Sequence, residues 1–306
     1  MRLSTIVLDG TEVAAVEVAG MGLVPVPTVA PDLPDTILGL IEVGLDPALR
    51  RELTARAEQG AAAHALAPDA VRYGPLYRRP RKIWGIGLNY RSHADDLDET
   101  HPDEPASFMK GDHTIIGPGD PIVLPRQSVH VTAEAELGLI VGTTCRDVEP
   151  SEALDHIVGV CPVLDQTAID ILQRNPRFLT RAKNFPSFFS FGPVLVTIDE
   201  ILGPDGGLGH VQVGTYRNDQ MVREDVVAGM AHGPETLISL HSQVMPLYPG
   251  DIISPGSPGG ARVQDGDVAS CRIPGVGTLT NPVVRREAPD DASATETGDP
   301  STPPNP

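Results

Sequence analysis

The sequence predicts an α+β fold in which strands outnumber helices, and two observations support this. From residue 83 onward, short apolar runs follow one another closely and are separated by glycine and proline. The 306 residues include 31 glycines and 31 prolines, a content that favours turns and short strands over long helices. Strands spaced in this way are typical of a β-rich barrel or roll rather than of alternating βαβ units. The predicted strands are Ile83–Leu88, Ile122–Leu124, Val131–Val141, Val160–Leu164, Val194–Ile198, Val211–Tyr216, Ile252–Ser254, Val268–Ile273 and Thr278–Val284.

The first 74 residues are predicted to form a small α/β domain, and the Pro- and Arg-rich residues 75–82 are predicted to be the linker that follows it. Asp9-Gly10 is a favoured two-residue hairpin turn. Asp46-Pro47 combines an N-cap residue with proline at the first helical position. The elements predicted here are strands at residues 2–8 and 11–18, a helix within residues 34–44, and a helix from Pro47 toward Gly60.

Residues 83–286 are predicted to form a second, larger domain that contains two helices. One covers Ser151–Val158 and ends at Gly159, and the other begins near Pro234 and continues to Val244 at helical spacing. Residues 287–306 hold five acidic residues, no basic residue and five prolines, so they cannot bury enough apolar surface to become ordered. They are predicted to be a disordered tail.

The charge balance argues against several classes of partner. The chain has 41 acidic and 23 basic residues and a net charge of −18, whereas nucleic acids and anionic membranes are bound by clustered Lys and Arg. No run of 18 apolar residues is present, and the segment after Met1 carries charges and a turn, so we expect a cytoplasmic protein. Cys145, Cys161 and Cys271 form no C-x-x-C motif and are predicted to be reduced thiols in or near the core.

Two glutamates in the predicted strand Val131–Val141 are the first candidates for a functional site. Residues two apart in a strand point to the same face, so Glu134 and Glu136 should project together. Like charges at this distance repel, and a divalent cation with oxygen ligands resolves the conflict. The alternative is an exposed strand whose polar face carries two glutamates without a ligand.

A third carboxylate favours the cation. Asp165 follows the apolar run Val160–Leu164, where an unpaired aspartate would be costly to bury. Three carboxylates without cysteine or a histidine pattern favour Mg²⁺ or Mn²⁺ over Zn²⁺, with Ca²⁺ as a further candidate.

A series of motifs extends along residues 81–284. They are Ile83-Trp-Gly-Ile-Gly-Leu-Asn-Tyr-Arg-Ser-His93, Phe108-Met-Lys110, Gly117-Pro-Gly-Asp-Pro121, Glu134-Ala-Glu136-Leu137, Asp165, Thr180-Arg-Ala-Lys183, Gly192-Pro193, Pro249-Gly-Asp251 and Gly275-Val-Gly-Thr-Leu279. In these motifs and their order the chain resembles the fumarylacetoacetate hydrolase family. The resemblance implies a mixed β-sandwich or roll as the catalytic domain, usually in a homodimer. It also implies a divalent metal on Glu134, Glu136 and Asp165, and a small 2-oxo or 1,3-dicarbonyl acid as substrate.

The same resemblance assigns roles to further residues. His93 and Asp96 match the pair that activates water, although Asp96 is one methylene shorter than the usual glutamate. Lys183 matches the lysine that donates to a substrate carbonyl or carboxylate. Lys110 and Ser257 are the candidate substrate-binding residues.

Several positions depart from the family pattern. Ile169 stands where many members have an arginine that anchors a carboxylate, and Asn184 stands where serine is usual. The Thr-Gly-Thr-Pro loop is replaced by residues 254–258, Ser-Pro-Gly-Ser-Pro. These departures indicate an atypical substrate pocket.

The resulting prediction is a metal-dependent hydrolase that cleaves a C–C bond in an acylpyruvate-like acid through a stabilised enolate. Decarboxylation of an oxaloacetate-like acid, or isomerisation of a 2-hydroxy-diene-dioate, needs the same enolate and is the alternative within the enzyme class. A family member that binds metal and ligand without catalysis is the alternative from another class.

Overall fold

The computed structural model describes residues 1–91 and 103–285, which form two β-sheets with short helices at their edges. This confirms the predicted α+β, β-rich fold. The strands of the described residues, numbered in chain order, are β1 Arg2–Leu8, β2 Thr11–Val18, β3 Gly22–Pro25, β4 Arg72–Tyr73, β5 Ile83–Gly87, β6 Ala106–Lys110, β7 Ile115–Ile116, β8 Ile122–Leu124, β9 Val131–Val141, β10 Ile157–Ala168, β11 Phe189–Phe191, β12 Val194–Thr197, β13 Gln212–Arg217, β14 Gln220–Val226, β15 Ile252–Ser254, β16 Gly260–Val263, β17 Val268–Ile273 and β18 Gly277–Arg285.

The helices of the same residues are short except for two. None of them, in residues 1–91 and 103–285, is long and apolar enough to cross a membrane. The α-helices are α1 Val26–Val29, α2 Ile37–Glu42, α3 Pro47–His64, α4 Ile169–Arg174, α5 Leu179–Lys183, α6 Ile198–Ile201 and α7 Pro234–Val244, and 3₁₀ turns cover Asp112–Thr114, Pro150–His156, Pro176–Phe178 and Val227–Gly229.

The larger sheet has 13 strands and is centred on the long antiparallel pair β9 and β10. Its main path runs β3-β2-β1-β12-β10-β9-β15-β5-β6, with β4, β7, β11 and β16 paired at its sides. The smaller sheet has five strands in the order β14-β13-β17-β18-β8. Buried side chains from both sheets, such as Leu137 of β9 and Leu279 of β18, form one hydrophobic core between them. The central pair therefore lies under the second sheet, where nearly all of its residues are buried.

The N-terminal hairpin forms as predicted and continues the large sheet. Asp9 and Gly10 both have positive φ, at 49° and 81°, which is the conformation that a two-residue hairpin turn of this twist requires. Strand β1 then pairs with β12, nearly 200 residues along the chain, with Arg2 opposite Val196. Strands β1, β2 and β3 thus share a sheet with β9 and β10. The division into domains at residues 75–82 stays a prediction.

Helix α3 begins where the sequence predicts and ends later. The carboxylate of Asp46 accepts hydrogen bonds from the backbone N–H groups of Ala48 and Leu49, both at 2.8 Å, which caps the first turn. Gly60 does not end the helix, which continues to His64. A Cβ at Gly60 would lie 2.5 Å from the side chain of Val29, so glycine is needed there for the close approach of α1.

The predicted helix Ser151–Val158 is wrong in its last two residues, and the rest forms a 3₁₀ turn rather than an α-helix. A 3₁₀ turn covers Pro150–His156, and strand β10 already begins at Ile157. The reason is that the residues after His156 are β-branched and favour a strand. Gly159 allows close strand packing rather than ending a helix, since its Cβ would lie 2.3 Å from the carbonyl oxygen of Val196.

The three cysteines are free and buried, as predicted. Helix α7 also begins at Pro234 as predicted and places His241 in the core, where its Nδ1–H donates to the carbonyl oxygen of Leu237 at 2.7 Å. The imidazole packs against the indole of Trp84, with ring centroids 4.6 Å apart. Burial lowers the pKa of His241 below its ordinary value, so the neutral ring is favoured in the folded protein.

We therefore expect the free energy of unfolding to decrease as the pH falls below 6.5, the ordinary pKa of histidine. The unfolded chain then binds a proton that the buried ring does not, which favours unfolding. Urea unfolding at pH values above and below 6.5 measures the effect. His241→Leu should lose this part of the pH dependence, whereas a variant at the exposed His64, His64→Gln, should keep it. If the free energy of unfolding of His241→Leu changes with pH as steeply as that of the unaltered chain, His241 is not the cause.

Candidate metal and catalytic site

Three carboxylates meet on the central strand pair of the large sheet. Glu134 and Glu136 lie on β9 and Asp165 lies on β10, where the antiparallel register sets Asp165 opposite Glu134 and Val163 opposite Glu136. One oxygen from each carboxylate lies within 4.8 Å of the others. Glu136 and Asp165 are each 1% exposed. The two glutamates and Asp165 therefore lie close together, as predicted. Asp165 lies within β10 rather than at its end.

Two of the three lysines in the chain form ion pairs with these carboxylates. The Nζ of Lys183 lies 2.9 Å from Oε2 of Glu134 and 2.7 Å from Oδ2 of Asp165. The Nζ of Lys110 lies 2.5 Å from Oδ1 of Asp165. Three carboxylates thus face two ammonium groups, which leaves a formal charge of −1 at a buried site. Such a site attracts a further cation, since an unbalanced buried charge is costly.

A single asparagine holds together the segments that carry the two lysines. Lys110 is the last residue of β6, and Lys183 is the last residue of α5. The Asn184 side chain accepts a hydrogen bond from the N–H of Gly111 at 2.8 Å and donates to the carbonyl oxygens of Met109 and Thr180 at 3.1 and 2.9 Å. Asn184, at the position where serine is usual, therefore links the end of β6 to α5.

Neutral donors complete the shell around the glutamates. The hydroxyls of Thr132 and Thr167 donate to Oε1 of Glu134, at 2.8 and 3.0 Å. The hydroxyl of Ser254 and the N–H of Gly256 donate to Oε2 of Glu136, the latter at 2.9 Å. Sequence reasoning missed Ser254 and the two threonines, because nothing in a local pattern shows which hydroxyls reach a carboxylate on another strand.

The pKa values of the cluster follow from burial and mutual charge. Burial, with the nearby charge of Asp165, raises the pKa of Glu136 above its ordinary value. Burial lowers the pKa of Lys110 to about 8. Burial opposes the charged form of Lys183 as well, but the carboxylates of Asp165, Glu134 and Glu136 outweigh it and raise the pKa of Lys183. Although burial also disfavours ionised Asp165, the two lysines lower its pKa.

The donor set fits a divalent cation. All three candidate ligands are carboxylate oxygens, which hard cations such as Mg²⁺, Mn²⁺ and Ca²⁺ prefer. Each carboxylate is also oriented by hydrogen bonds from neighbouring groups, as in protein metal sites. Burial of Glu136 beside the charge of Asp165 disfavours its ionised form, and a bound cation would supply compensating positive charge.

The other predicted site residues are located as follows. His93 and Asp96 lie outside the described residues. Asn89, which precedes them, holds its strand end in place by donating to the carbonyl oxygens of His232 and Pro255 at 2.9 and 2.8 Å. Ile169 is the first residue of α4 and brings no positive charge to the site.

Ser257 lies in the loop beside Glu136, but its hydroxyl is used inside that loop. Its Oγ accepts from the N–H of Gly259 and donates to the carbonyl oxygen of the same residue, each at 3.1 Å. Thr215 of the second sheet donates to the same carbonyl at 2.7 Å and accepts from the N–H of Ala135 at 3.2 Å. The loop is thereby fixed against β9, and a substrate-binding role for Ser257 stays a prediction.

Comparison with known protein families gives one match over most of the chain. Residues 82–284 match the family model described as the fumarylacetoacetate (FAA) hydrolase C-terminal region. The mitochondrial oxaloacetate tautomerase fahd2 of Xenopus laevis is 32% identical over 263 residues, which are 83% of this chain and 80% of that protein.

Solved structures with the same fold include two hydrolases. A fumarylacetoacetate hydrolase of Exiguobacterium antarcticum superimposes with a TM-score of 0.78 at 30% identity, covering 94% of this chain and 100% of the other. The maleylpyruvate hydrolase of Sphingobium sp. SYK-6, solved with a manganese(II) ion and pyruvate, gives a TM-score of 0.76 at 26% identity, with the same coverage.

Proposed function

The chain belongs to the fumarylacetoacetate hydrolase family, and we propose that it interconverts the enol and keto forms of a small 2-oxo acid of the oxaloacetate class, with Mg²⁺ or Mn²⁺ as cofactor. The observation that supports this best is the cluster of three carboxylates and two lysines on β9 and β10. It combines a site for one divalent cation with two fixed positive charges. The likeness to an oxaloacetate tautomerase over 83% of the chain supports the reaction class.

The reaction needs stabilised negative charge and no second reactant. The enol O–H bond breaks, a C–H bond forms at the adjacent carbon, and an enolate lies between the two states. Glu134, Glu136 and Asp165 would hold the metal, which when bound would supply Lewis-acid stabilisation of the negative charge on the substrate. Preorganised charges in a site without bulk water are worth more than the same charges in solution.

The lysines would act on the substrate directly. Lys183 keeps its proton because two carboxylates stabilise it, so it serves as a permanent donor to a substrate carboxylate or enolate oxygen. Lys110 is completely buried and bonded to Asp165, which places a second donor on the other side of that carboxylate. The rigid central strands and Asn184 hold both groups in place, so little reorganisation is needed during the reaction.

Hydrolysis of a C–C bond is the second candidate, favoured by the sequence spacing of His93 and Asp96. A histidine beside a carboxylate is suited to activating water near neutral pH. Two solved structures with this fold are hydrolases, one of fumarylacetoacetate and one of maleylpyruvate. Both reactions pass through an enolate, so the cluster on β9 and β10 serves either one.

The experiment that tests the proposal follows ketonisation of enol-oxaloacetate by ultraviolet absorbance, with Mg²⁺, with Mn²⁺ and after EDTA treatment. We expect metal-dependent acceleration over the spontaneous rate, lost with EDTA and restored by metal. The same preparations are tested for cleavage of an acylpyruvate. Cleavage faster than ketonisation would favour the hydrolase. The absence of both activities at saturating metal would overturn the proposal in favour of a ligand-binding role.

The hydrolase alternative makes its own prediction for His93→Ala. If this histidine activates water, the variant should cleave an acylpyruvate at least about a hundredfold more slowly, the usual contribution of a general base. The bound Mn²⁺ should stay at the level of the unaltered chain, because His93 is not among the proposed ligands. Full retention of cleavage would eliminate the water-activating role.

A further inference from the structure

Glu136 is held differently from the other two carboxylates of the cluster. Glu134 and Asp165 are each bonded to a lysine, whereas Glu136 is bonded to two neutral donors, and both use the same oxygen. Its Oε2 accepts from the hydroxyl of Ser254 and from the N–H of Gly256. In the described parts of the chain, no hydrogen-bond donor contacts the other oxygen, Oε1.

The hydroxyl donor on Oε2 belongs to a buried strand of the large sheet. Ser254 is completely buried at the end of β15, with Gly85 of β5 opposite it in the parallel ladder. The hydroxyl of Ser254 is therefore presented to Glu136 by the sheet and does not depend on a mobile loop.

The two hydrogen bonds limit what Glu136 can offer a cation. A carboxylate oxygen has two lone-pair positions, and the two donors occupy both positions on Oε2. A bidentate ligand needs both of its oxygens. Only Oε1 is thus left for a metal ion, and Glu136 becomes a ligand through one oxygen.

We propose that Ser254 is a positioning residue that, together with the N–H of Gly256, restricts Glu136 to single-oxygen coordination and so makes the site prefer Mg²⁺ and Mn²⁺ to Ca²⁺. Ca²⁺ takes six to eight oxygens and often binds carboxylates through both, whereas Mg²⁺ requires near-octahedral geometry with fewer protein ligands. The inference rests on the metal site of the proposed function and goes beyond it by assigning the basis of ion selectivity.

The test measures the Kd of Mn²⁺ and of Ca²⁺ by titration calorimetry on protein stripped with EDTA. Four proteins are compared: the unaltered chain, Ser254→Ala, Ser254→Thr and Ser270→Ala. Ser270 is a matched control, because it is also a buried serine in a strand, and its hydroxyl bonds to that of Thr280 at 3.1 Å, away from the carboxylates. Thermal unfolding of each stripped protein shows whether the fold is intact.

We expect Ser254→Ala to weaken Mn²⁺ binding about tenfold, as is usual when a residue that orients a metal ligand is removed. Ca²⁺ binding should weaken less, because the lone pair freed on Oε2 permits bidentate coordination, so the Kd ratio of Ca²⁺ to Mn²⁺ should fall. Ser254→Thr retains the hydroxyl and should restore the ratio, and Ser270→Ala should leave it unchanged.

Two results would overturn the proposal, and they differ in what else they exclude. If the unaltered chain binds Mn²⁺ but the Kd ratio in Ser254→Ala is unchanged, the role of Ser254 is refuted and the metal site stands. If the unaltered chain binds neither ion, the metal site of the proposed function fails together with this inference. A general loss of structure would weaken the binding of both ions alike and would lower the unfolding temperature. The expected result is instead a lower Kd ratio of Ca²⁺ to Mn²⁺, which does not require a lower unfolding temperature.

Discussion

Asp165→Asn is expected to abolish binding of the divalent cation and to lower turnover at least about a thousandfold. The substitution removes one of the three proposed ligands and changes the formal charge of the cluster from −1 to zero, so the attraction for a cation is lost. It also leaves two buried lysines without the carboxylate that both contact, at 2.5 and 2.7 Å. Breaking a buried ion pair in this way costs about 3–5 kcal/mol, so the metal-free variant should also be less stable. Elemental analysis, ketonisation rates and urea unfolding measure the three effects.

Asp251→Asn is the matched control for this variant. Asp251 is another fully buried aspartate, bonded to the Nζ of Lys82 at 2.6 Å, but it is not part of the carboxylate cluster. The control should lose stability to a similar degree and still bind Mn²⁺ when folded. Retention of metal by Asp165→Asn would show that Asp165 is not a ligand, and equal loss of metal in both variants would assign the effect to damage of the fold.

The local sequence was sufficient to predict that the three carboxylates come together, because strand geometry is regular. Alternation along β9 places Glu134 and Glu136 on one face, and this follows from their spacing alone. Asp165 was found from the cost of burying an aspartate beside an apolar run. The sequence does not give the register between β9 and β10, and a shared cation was favoured only from the repulsion of the two glutamates together with the cost of burying Asp165.

The lysines and hydroxyls of the site could not be predicted by such reasoning. Lys110 reaches Asp165 across 55 residues of chain, and Ser254 reaches Glu136 across 118. These contacts depend on how β6, α5 and β15 pack beside the central pair. The resemblance to a known family named Lys183 and Lys110, but it directed attention to the hydroxyl of Ser257. In the structure it is Ser254, three residues earlier, whose hydroxyl contacts a carboxylate of the cluster.

The fold was predictable where burial leaves a pattern or where turn and cap residues act locally, and not elsewhere. The hairpin of β1 and β2 and the start of α3 carry turn and cap residues that act locally. Strand β14 was missed because its residues are all exposed or half-buried, so no alternation of apolar residues marks it. The pairing of β1 with β12 is set by packing between distant segments, which no local signal records.

Lys183→Met is expected to change metal affinity and turnover in opposite directions. The Lys183 ammonium neutralises Glu134 and Asp165, so its removal changes the formal charge of the cluster from −1 to −2 and should tighten Mn²⁺ binding. The same change removes a preorganised donor from the developing enolate, which should lower kcat about a thousandfold. Methionine retains an apolar side chain of similar length beside Phe108, over whose ring the ammonium lies at 4.9 Å. Calorimetric titration measures the Kd of Mn²⁺, and the ketonisation assay measures kcat.

Tighter Mn²⁺ binding together with a lower kcat would distinguish this effect from a loss of structure, because a damaged site would bind the cation more weakly and also react more slowly. Lys82→Met provides the comparison, since Lys82 is likewise a largely buried lysine bonded to an aspartate, Asp251, outside the cluster. That variant should lose stability while its Mn²⁺ affinity and its kcat, measured on folded protein, stay those of the unaltered chain. Weaker Mn²⁺ binding by Lys183→Met would mean that the ammonium helps to hold the carboxylates in a metal-binding arrangement instead of competing with the cation. An unchanged kcat would mean that Lys183 does not act on the charge that develops in the reaction.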